Sequence, residues 1–296
     1  MRAILLANDS VSHPLPGIVA DVYLMWQYLK TLAQCNISVW SNLPLNQAVN
    51  VKGITSLLLD NTISEDIHSF LSTLDVKKLD SLDNVKIEEK DDRLLVYYTG
   101  HATEAGVTFG DVTVSWNTFA DHFIKQLQPK SQLMFVFDCC YPSGLNLPFV
   151  WNADHKGFKL RANLRRTLLE TYTWKAYPID ICCLCSSFEH QERSISTSRG
   201  SLLTLALTGA WSGRDVPMYL EKKYKVNIPL CVDRIPPIKT WGTLTSFIGW
   251  KYNQEAGQAT IQSMFVSASV PLDQGPWSWL LSPSISKPVE VLATCY

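Results

Sequence analysis

Short runs of continuous hydrophobic residues alternate along the chain with longer segments in which hydrophobic residues recur at helical spacing. The continuous runs have the length of strands and occur at residues 3–7, 37–40, 94–98, 133–137 and 179–185. Strands that are buried on both faces of a sheet show this pattern, and such strands are usually parallel and covered by helices. The spacing predicts the covering helices at residues 18–32, 65–74 and 116–127. The order of these elements indicates an α/β fold with right-handed crossovers.

One segment departs from this pattern. Residues 147–178 contain no run that resembles a strand, which predicts an exposed basic connection with a short helix at residues 164–169. Its cations include Lys156, Lys159, Arg161, Arg165 and Arg166. Beyond Gly213 the chain becomes rich in Pro and Trp, and the pattern weakens.

The charge balance restricts the classes of partner. The 296 residues include 26 Lys and Arg against 27 Asp and Glu, a net charge of −1, which argues against nucleic acid or an anionic membrane as the main partner. No hydrophobic run approaches the ~18 to 20 residues of a membrane helix, and the run after Arg2 is shorter than the core of a signal peptide. The eight cysteines are too sparse for a disulfide scaffold. We therefore expect a cytoplasmic protein with a sizeable hydrophobic core.

Two predicted strands run into loops that contain a candidate nucleophile and a candidate base. Gly100-His101 follows one strand, and Asp138-Cys139-Cys140 follows another. Loops at the carboxyl ends of parallel strands line the ligand crevice of an α/β sheet. An imidazole there can take the proton of a thiol and later give it to a leaving amine. The competing interpretation is a solvated loop histidine and two cysteines buried as small hydrophobes.

The residues around this pair resemble a known family. Residues 98–101, Tyr-Thr-Gly-His, resemble the strand-end Tyr-Ser-Gly-His of caspase-like cysteine peptidases. Asp138-Cys139-Cys140 with Ser143-Gly144 resembles the Asp-x-Cys-His-Ser-Gly of metacaspases. Further segments are similar to metacaspases at matching places in the chain order, and these are residues 15–21, 179–187 and 198–204. The likeness covers roughly residues 1–210.

This resemblance implies a fold and its division. We expect a single caspase-like α/β domain over residues 1–296, with a mainly parallel six-stranded sheet and helices on both faces. Residues 1–150 are the part that resembles the large subunit, residues 151–178 are the basic connection, and residues 179–296 are the part that resembles the small subunit.

The resemblance also implies roles for individual residues. Cys140 is the nucleophile and His101 is the general acid and base, and no third catalytic residue is implied. Backbone N–H groups at Gly100 and Cys140 would stabilise the oxyanion of the tetrahedral intermediate. The resulting function is that of a cysteine endopeptidase.

The pocket for the residue before the cleaved bond carries over to Asp21, Thr99 and Asp138. Two carboxylates in one pocket are costly unless a cation arrives, so Lys or Arg of a substrate is their natural partner. We therefore expect a monomeric enzyme whose partners are proteins or peptides with Lys or Arg before the cleaved bond, and the basic connection is a candidate site of self-cleavage. In another interpretation Asp21 is a helix N-terminal charge and Asp138 a turn residue, both outside the pocket, and the substrate preference differs.

Departures from the metacaspase pattern leave a further alternative open. Ala102 replaces the Gly after the catalytic His, and Tyr141-Pro142 replaces the single His after the nucleophile. The chain could therefore be a pseudopeptidase that retains the fold as an interaction protein. The acidic cluster that binds calcium in many metacaspases is reduced to Asp111, and since calcium needs about six to eight oxygen ligands we expect no metal and no cofactor.

The motif Cys182-Cys183-x-Cys185 has the composition of a metal site but lies in a predicted strand. Successive side chains of a strand point to opposite faces, and no second Cys or His pair lies at zinc-site spacing. The pattern favours packing in the core.

Overall fold

The computed structural model of the protein describes residues 1–10, 15, 17–32, 35–43, 74–87, 92–110, 112–141, 145, 147, 149–152, 157–160, 179–187, 196–197, 200–208, 251–254, 257–260 and 265–269. The helices are α1 (Ile18–Thr31), α2 (Trp116–Ile124) and α3 (Leu202–Thr208), with a short 3-10 helix at Leu82–Asn84. None of the helices in these ranges is long and hydrophobic enough to cross a membrane. The strands are β1 (Arg2–Asn8), β2 (Asn36–Ser41), β3 (Val76–Lys78), β4 (Arg93–Gly100), β5 (Ala102–Thr103), β6 (Gly106–Phe109), β7 (Val112–Ser115), β8 (Gln132–Asp138), β9 (Phe149–Asn152), β10 (Gly157–Leu160), β11 (Asp180–Cys185), β12 (Ser196–Thr197), β13 (Gly200–Ser201), β14 (Lys251–Gln254), β15 (Gly257–Thr260) and β16 (Phe265–Ala268).

The largest sheet in the described part of the chain has nine strands in the order β10, β9, β16, β11, β8, β4, β1, β2, β3. Neighbouring strands from β11 to β3 pair in parallel. The strands β16, β9 and β10 complete one edge by antiparallel pairing. The predicted α/β fold with a mainly parallel sheet is therefore confirmed, and its six parallel strands are joined by three antiparallel strands that the prediction did not include.

The prediction that residues 147–178 contain no strand is wrong. Both β9 and β10 lie in this segment and pair with each other, with Asn152 opposite Gly157. In β10, Gly157 and Lys159 interrupt the hydrophobic residues, so this short strand carries no continuous hydrophobic run. In addition, β9 pairs with β16, which comes much later in the chain, and no local pattern reveals such a long-range contact.

All five hydrophobic runs lie in parallel strands, except that Ile179 directly precedes β11. Helices α1 and α2 form where the spacing predicted them. Alternate side chains of each strand enter two separate hydrophobic clusters. In β8, Val136 packs in the cluster that contains α1, whereas Phe135 and Phe137 pack in the cluster that contains α2. The sheet is therefore covered by helices on both faces, as predicted. The predicted helices at residues 65–74 and 164–169 lie outside the described residues, except for Leu74.

Local interactions fix the two covering helices. Helix α2 begins at a cap in which Ser115 Oγ accepts a hydrogen bond from the Thr118 N–H at 3.1 Å. Its Phe119 ring lies with its centroid 5.6 Å from that of Phe137, and such aromatic pairs add to the stabilisation by burial. Helix α1 carries Asp21 in its first turn on the buried face, which brings a carboxylate to the carboxyl edge of the sheet.

Candidate active site

The candidate nucleophile and base follow neighbouring parallel strands. Thr99 of β4 lies opposite Asp138 of β8 in the register of the sheet. His101 comes two residues after Thr99, and Cys140 comes two residues after Asp138. The two side chains therefore belong to equivalent positions just beyond the same edge of the sheet, where ligands bind in α/β folds.

The loop that carries His101 needs a glycine before it. Gly100 has a φ of +153°, and a Cβ atom there would lie 2.2 Å from the carbonyl oxygen of Asn8. The backbone of the next residue is fixed as well, because the His101 carbonyl accepts from the Thr108 N–H at 3.0 Å and from the Tyr98 hydroxyl at 2.6 Å. The backbone at His101 is thus fixed by the close contact between β1 and β4 and by two hydrogen bonds to the His101 carbonyl.

The two adjacent cysteines have different surroundings. Cys139 is buried in the cluster under α2, whereas Cys140 is partly exposed. Burial raises the pKa of the Cys139 thiol well above its usual range, and nearby Cys140, Cys185 and Asp138 raise it further. The Cys139 backbone is held by Ser186, whose Oγ accepts from the Cys139 N–H at 3.1 Å and whose hydroxyl donates to the Cys139 carbonyl at 2.8 Å. Of the two cysteines, Cys140 is the more exposed.

The chain bends at Cys139, Cys140 and Tyr141. Tyr141 has a φ of 55°, and this left-handed conformation is unusual for a residue other than glycine. Such backbone strain costs on the order of 1–3 kcal/mol and is concentrated at functional sites. Pro142, Ser143 and Gly144 lie outside the described residues.

Asp21, Thr99 and Asp138 come together behind this edge. Thr99 donates its hydroxyl hydrogen to Asp21 Oδ2 at 2.9 Å, and both carboxylates are buried. Ser201 connects them, because its N–H donates to Asp21 Oδ1 at 2.6 Å and its hydroxyl donates to Asp138 Oδ2. Thr204 also donates its hydroxyl to Asp138 Oδ2 at 2.7 Å. The three pocket residues named from sequence thus belong to one buried polar cluster.

Ser201 and Thr204 have no predicted role, although both lie in the segment 198–204 that resembles metacaspases. The signal for them was their place at the start of a helix, where Ser and Thr often donate or accept in caps. Their contact with Asp138 joins α3 to the end of β8, which is a tertiary contact that spacing along the chain does not reveal.

Burial and mutual repulsion act on Asp21 and Asp138, which are called the acidic cluster below. Burial raises the pKa of Asp21 well above its ordinary value of 3.8, and the charge of Asp138 raises it further, against hydrogen bonds from Ser201 and Thr99 that lower it. Burial and the charges of both aspartates also raise the pKa of Tyr97, whose hydroxyl lies 2.5 Å from Thr204 Oγ1. Two full negative charges are therefore unfavourable in the cluster without a cation.

Asp21→Asn is expected to stabilise the protein at neutral pH. The folded-state pKa of Asp21 is raised above 3.8. Between pH 3.8 and that raised pKa, the native state therefore holds a proton that the unfolded state has lost. The free energy of unfolding falls as the pH rises through this range. Asparagine removes this cost, and its Nδ2 can donate to the Thr99 hydroxyl. The expected gain is about 0.5 to 2 kcal/mol, measured by denaturant unfolding at pH 7.5 and again near pH 4, where the gain should vanish.

The matched control for this variant is Asp80→Asn, which removes an exposed charge paired with Lys78 and should change the free energy of unfolding by less than about 0.5 kcal/mol. A loss of stability in Asp21→Asn at pH 7.5, or an equal gain at both pH values, contradicts the proposed repulsion.

Asp9, which was not named from sequence, lies beside His101. Asp9 follows β1 directly, and its Oδ1 lies 3.7 Å from His101 Nε2. The available signal was its position at the end of a strand next to β4, but the order of strands in the sheet is needed to use it.

No cluster of three or more His, Cys, Asp or Glu side chains able to hold a metal ion occurs within the described ranges. Cys182 points to the cluster under α1, whereas Cys183 and Cys185 point to the other face. Cys183 and Cys185 are in contact, with their sulfur atoms 3.3 Å apart. These cysteines pack in the core, as predicted, and Asp111 lies outside the described residues.

The mainly parallel sheet with helices on both faces is an α/β fold, and the comparison with known families identifies it as caspase-like. The family model for the caspase domain matches residues 1–228. The match spans more than three quarters of the sequence, and the chain belongs to this family of cysteine peptidases.

Solved structures similar to the chain include caspase-1 from Spodoptera frugiperda, with 14% identity over 90% of this chain and 86% of that one and a TM-score of 0.41. Another is protein GSU0716 from Geobacter sulfurreducens, with 10% identity over 92% of this chain and 95% of that one and a TM-score of 0.42. A search of curated proteins finds no match.

Proposed function

We propose that the protein is a cysteine endopeptidase of the metacaspase type that hydrolyses peptide bonds after Lys or Arg. The observation that carries this proposal is the register of β4 and β8, in which Thr99 faces Asp138. Because His101 and Cys140 each follow two residues later, they form a catalytic pair across the crevice. The substrates are proteins or peptides, and the enzyme acts as a cytoplasmic monomer.

The chemistry begins with proton transfer from the Cys140 thiol to His101. The thiolate attacks the carbonyl carbon of the substrate, and the resulting oxyanion is stabilised by the backbone N–H groups of Gly100 and Cys140. Collapse of this intermediate breaks the C–N bond as His101 gives its proton to the leaving amine. Water activated by His101 then hydrolyses the thioester and regenerates Cys140.

The preference for Lys or Arg follows from the charge of the acidic cluster. Asp21 and Asp138 repel each other when both are ionised, and their neighbours Thr99, Ser201 and Thr204 supply donors but no positive charge. A guanidinium or ammonium group adds both donors and a positive charge. A substrate Asp in the same place would add a third negative charge and should be excluded.

Incubation of the pure protein with matched fluorogenic peptides tests the proposal. The peptides differ in the residue before the reporter, which is Arg, Lys, Asp or Leu. Release of the reporter from the Arg and Lys peptides, and not from the Asp peptide, is the expected result. Hydrolysis of none of the four would favour a pseudopeptidase.

A further inference from the structure

Asp9 approaches the imidazole from the strand on the other side of β4. Asn8 of β1 lies opposite Gly100 of β4 in the register, so Asp9 and His101 are the next residues on the two strands. The distance from Asp9 Oδ1 to His101 Nε2 is 3.7 Å. The Asp9 side chain is 8% exposed and that of His101 is 31% exposed, so the Asp9 side of this contact is shielded from solvent.

The position of the Asp9 carboxylate is fixed by other contacts. Its Oδ1 accepts from the Ser10 N–H at 2.8 Å and from the Leu15 N–H at 3.0 Å. Its backbone is held by Asn42 after β2, whose Oδ1 accepts from the Asp9 N–H at 2.9 Å and whose Nδ2 donates to the Asp9 carbonyl at 2.7 Å. Because these hydrogen bonds already restrict the Asp9 side chain, it loses little further conformational entropy when it orients His101.

We propose that Asp9 is a positioning residue for His101. Because Asp9 interacts with His101 Nε2, the other ring nitrogen, Nδ1, is left to face Cys140. Asp9 also stabilises the imidazolium that forms when Cys140 transfers its proton to His101. The proton moves from Cys140 Sγ to His101 Nδ1, and Asp9 remains a carboxylate throughout. This role rests on the proposed catalytic pair, and it adds a third residue that the resemblance to metacaspases does not imply.

Asp9→Asn tests the role, because asparagine keeps the size and the Oδ1 acceptor for the Ser10 and Leu15 N–H groups. We expect kcat to fall about 10- to 100-fold, which is less than the ~10⁴-fold loss when an aspartate bonded directly to a catalytic histidine is replaced. The KM should change by less than about twofold, since Asp9 contacts the base and not the substrate. Asp80→Asn, the exposed counterpart paired with Lys78, should leave both constants unchanged.

The pH dependence separates this role from a structural one. Burial raises the pKa of Asp9, while hydrogen bonds from Leu15 and Ser10 and the charge of His101 lower it. As the pH falls through this raised pKa, wild-type Asp9 becomes neutral, so the ratio of wild-type to Asp9→Asn activity should decrease toward one. The other titratable groups described near this edge include Asp21, Tyr97, Tyr98, Asp138, Cys139 and Cys140. Both proteins share them, so their effects cancel in the ratio to first order. A ratio that stays constant with pH would overturn the role.

A second readout needs no peptide substrate. The rate at which iodoacetamide alkylates Cys140, located by peptide mass spectrometry, reports on the Cys140 and His101 pair alone. We expect this rate to be several-fold lower in Asp9→Asn than in wild type at neutral pH, and unchanged in Asp80→Asn. If no peptide is hydrolysed but this difference is found, the proposed function fails and the role of Asp9 stands. Equal alkylation rates in wild type and Asp9→Asn overturn the role of Asp9.

Should Asp9→Asn fail to fold, Asp9→Glu and Asp9→Ser provide the comparison. Glutamate retains the charge, whereas serine retains only a neutral oxygen acceptor. Faster alkylation of Cys140 in Asp9→Glu than in Asp9→Ser is expected, and the opposite order overturns the role.

Discussion

Cys140→Ala and His101→Ala are each expected to abolish peptide hydrolysis, with kcat/KM falling by roughly 10³-fold or more. Each substitution removes one half of the proton transfer that generates the thiolate. The measurement is hydrolysis of the Arg fluorogenic peptide by purified variants, with circular dichroism to show that the fold is retained.

Neighbouring residues supply matched controls for both variants. Cys139→Ala removes a buried thiol next to Cys140 and should retain at least about a tenth of the activity, although its stability will fall by about 1 kcal/mol. His122→Ala removes a histidine of α2 whose Nε2 lies 2.8 Å from the Val85 carbonyl oxygen, and it should leave the activity largely unchanged. Loss of activity in Cys139→Ala with retention in Cys140→Ala would show that Cys139, and not Cys140, is the nucleophile.

Peptides with Arg or Lys before the cleaved bond should be hydrolysed at least 100-fold faster, by kcat/KM, than the matched Asp peptide. A buried, hydrogen-bonded charge pair of this kind is worth several kcal/mol relative to an unpaired charge, and each 1.4 kcal/mol corresponds to about a factor of ten. The fluorogenic panel measures this ratio directly.

Variants of the acidic cluster connect this preference with Asp21 and Asp138. Asp138→Asn and Asp21→Asn should each lower kcat/KM for the Arg peptide about 10-fold or more and leave the rate of Cys140 alkylation within about twofold. Asp180→Asn serves as the control, because Asp180 is the first residue of β11 and lies at the edge of the sheet opposite to the site. Undiminished hydrolysis of the Arg peptide by both cluster variants would place them outside the pocket.

The parallel part of the fold could be predicted because each strand carries its own signal. Runs such as residues 94–98 and 133–137 are continuous and hydrophobic, and burial on both faces of a sheet is the main reason for that pattern. The antiparallel edge could not be predicted in the same way. Strands β9 and β10 have four residues each, and their place depends on pairing with β16 far along the chain.

The site shows the same division between local and long-range information. His101 and Cys140 were found because each follows a predicted strand and lies in a motif. Asp9 also follows a predicted strand, but its relation to His101 depends on β1 pairing with β4, which no local pattern specifies. Ser201 and Thr204 reach Asp138 through the packing of α3, and that contact too requires the folded structure.

Labelling with a peptidyl-arginine chloromethyl ketone tests the central proposal most directly, because it needs the nucleophile, the base and the pocket at once. Peptide mass spectrometry of the treated protein should find the label on Cys140, in wild type and not in His101→Ala, and the corresponding aspartyl reagent should label Cys140 at least 100-fold more slowly. Label on Cys139, equal labelling by the two reagents, or no label on Cys140 in wild type would contradict it.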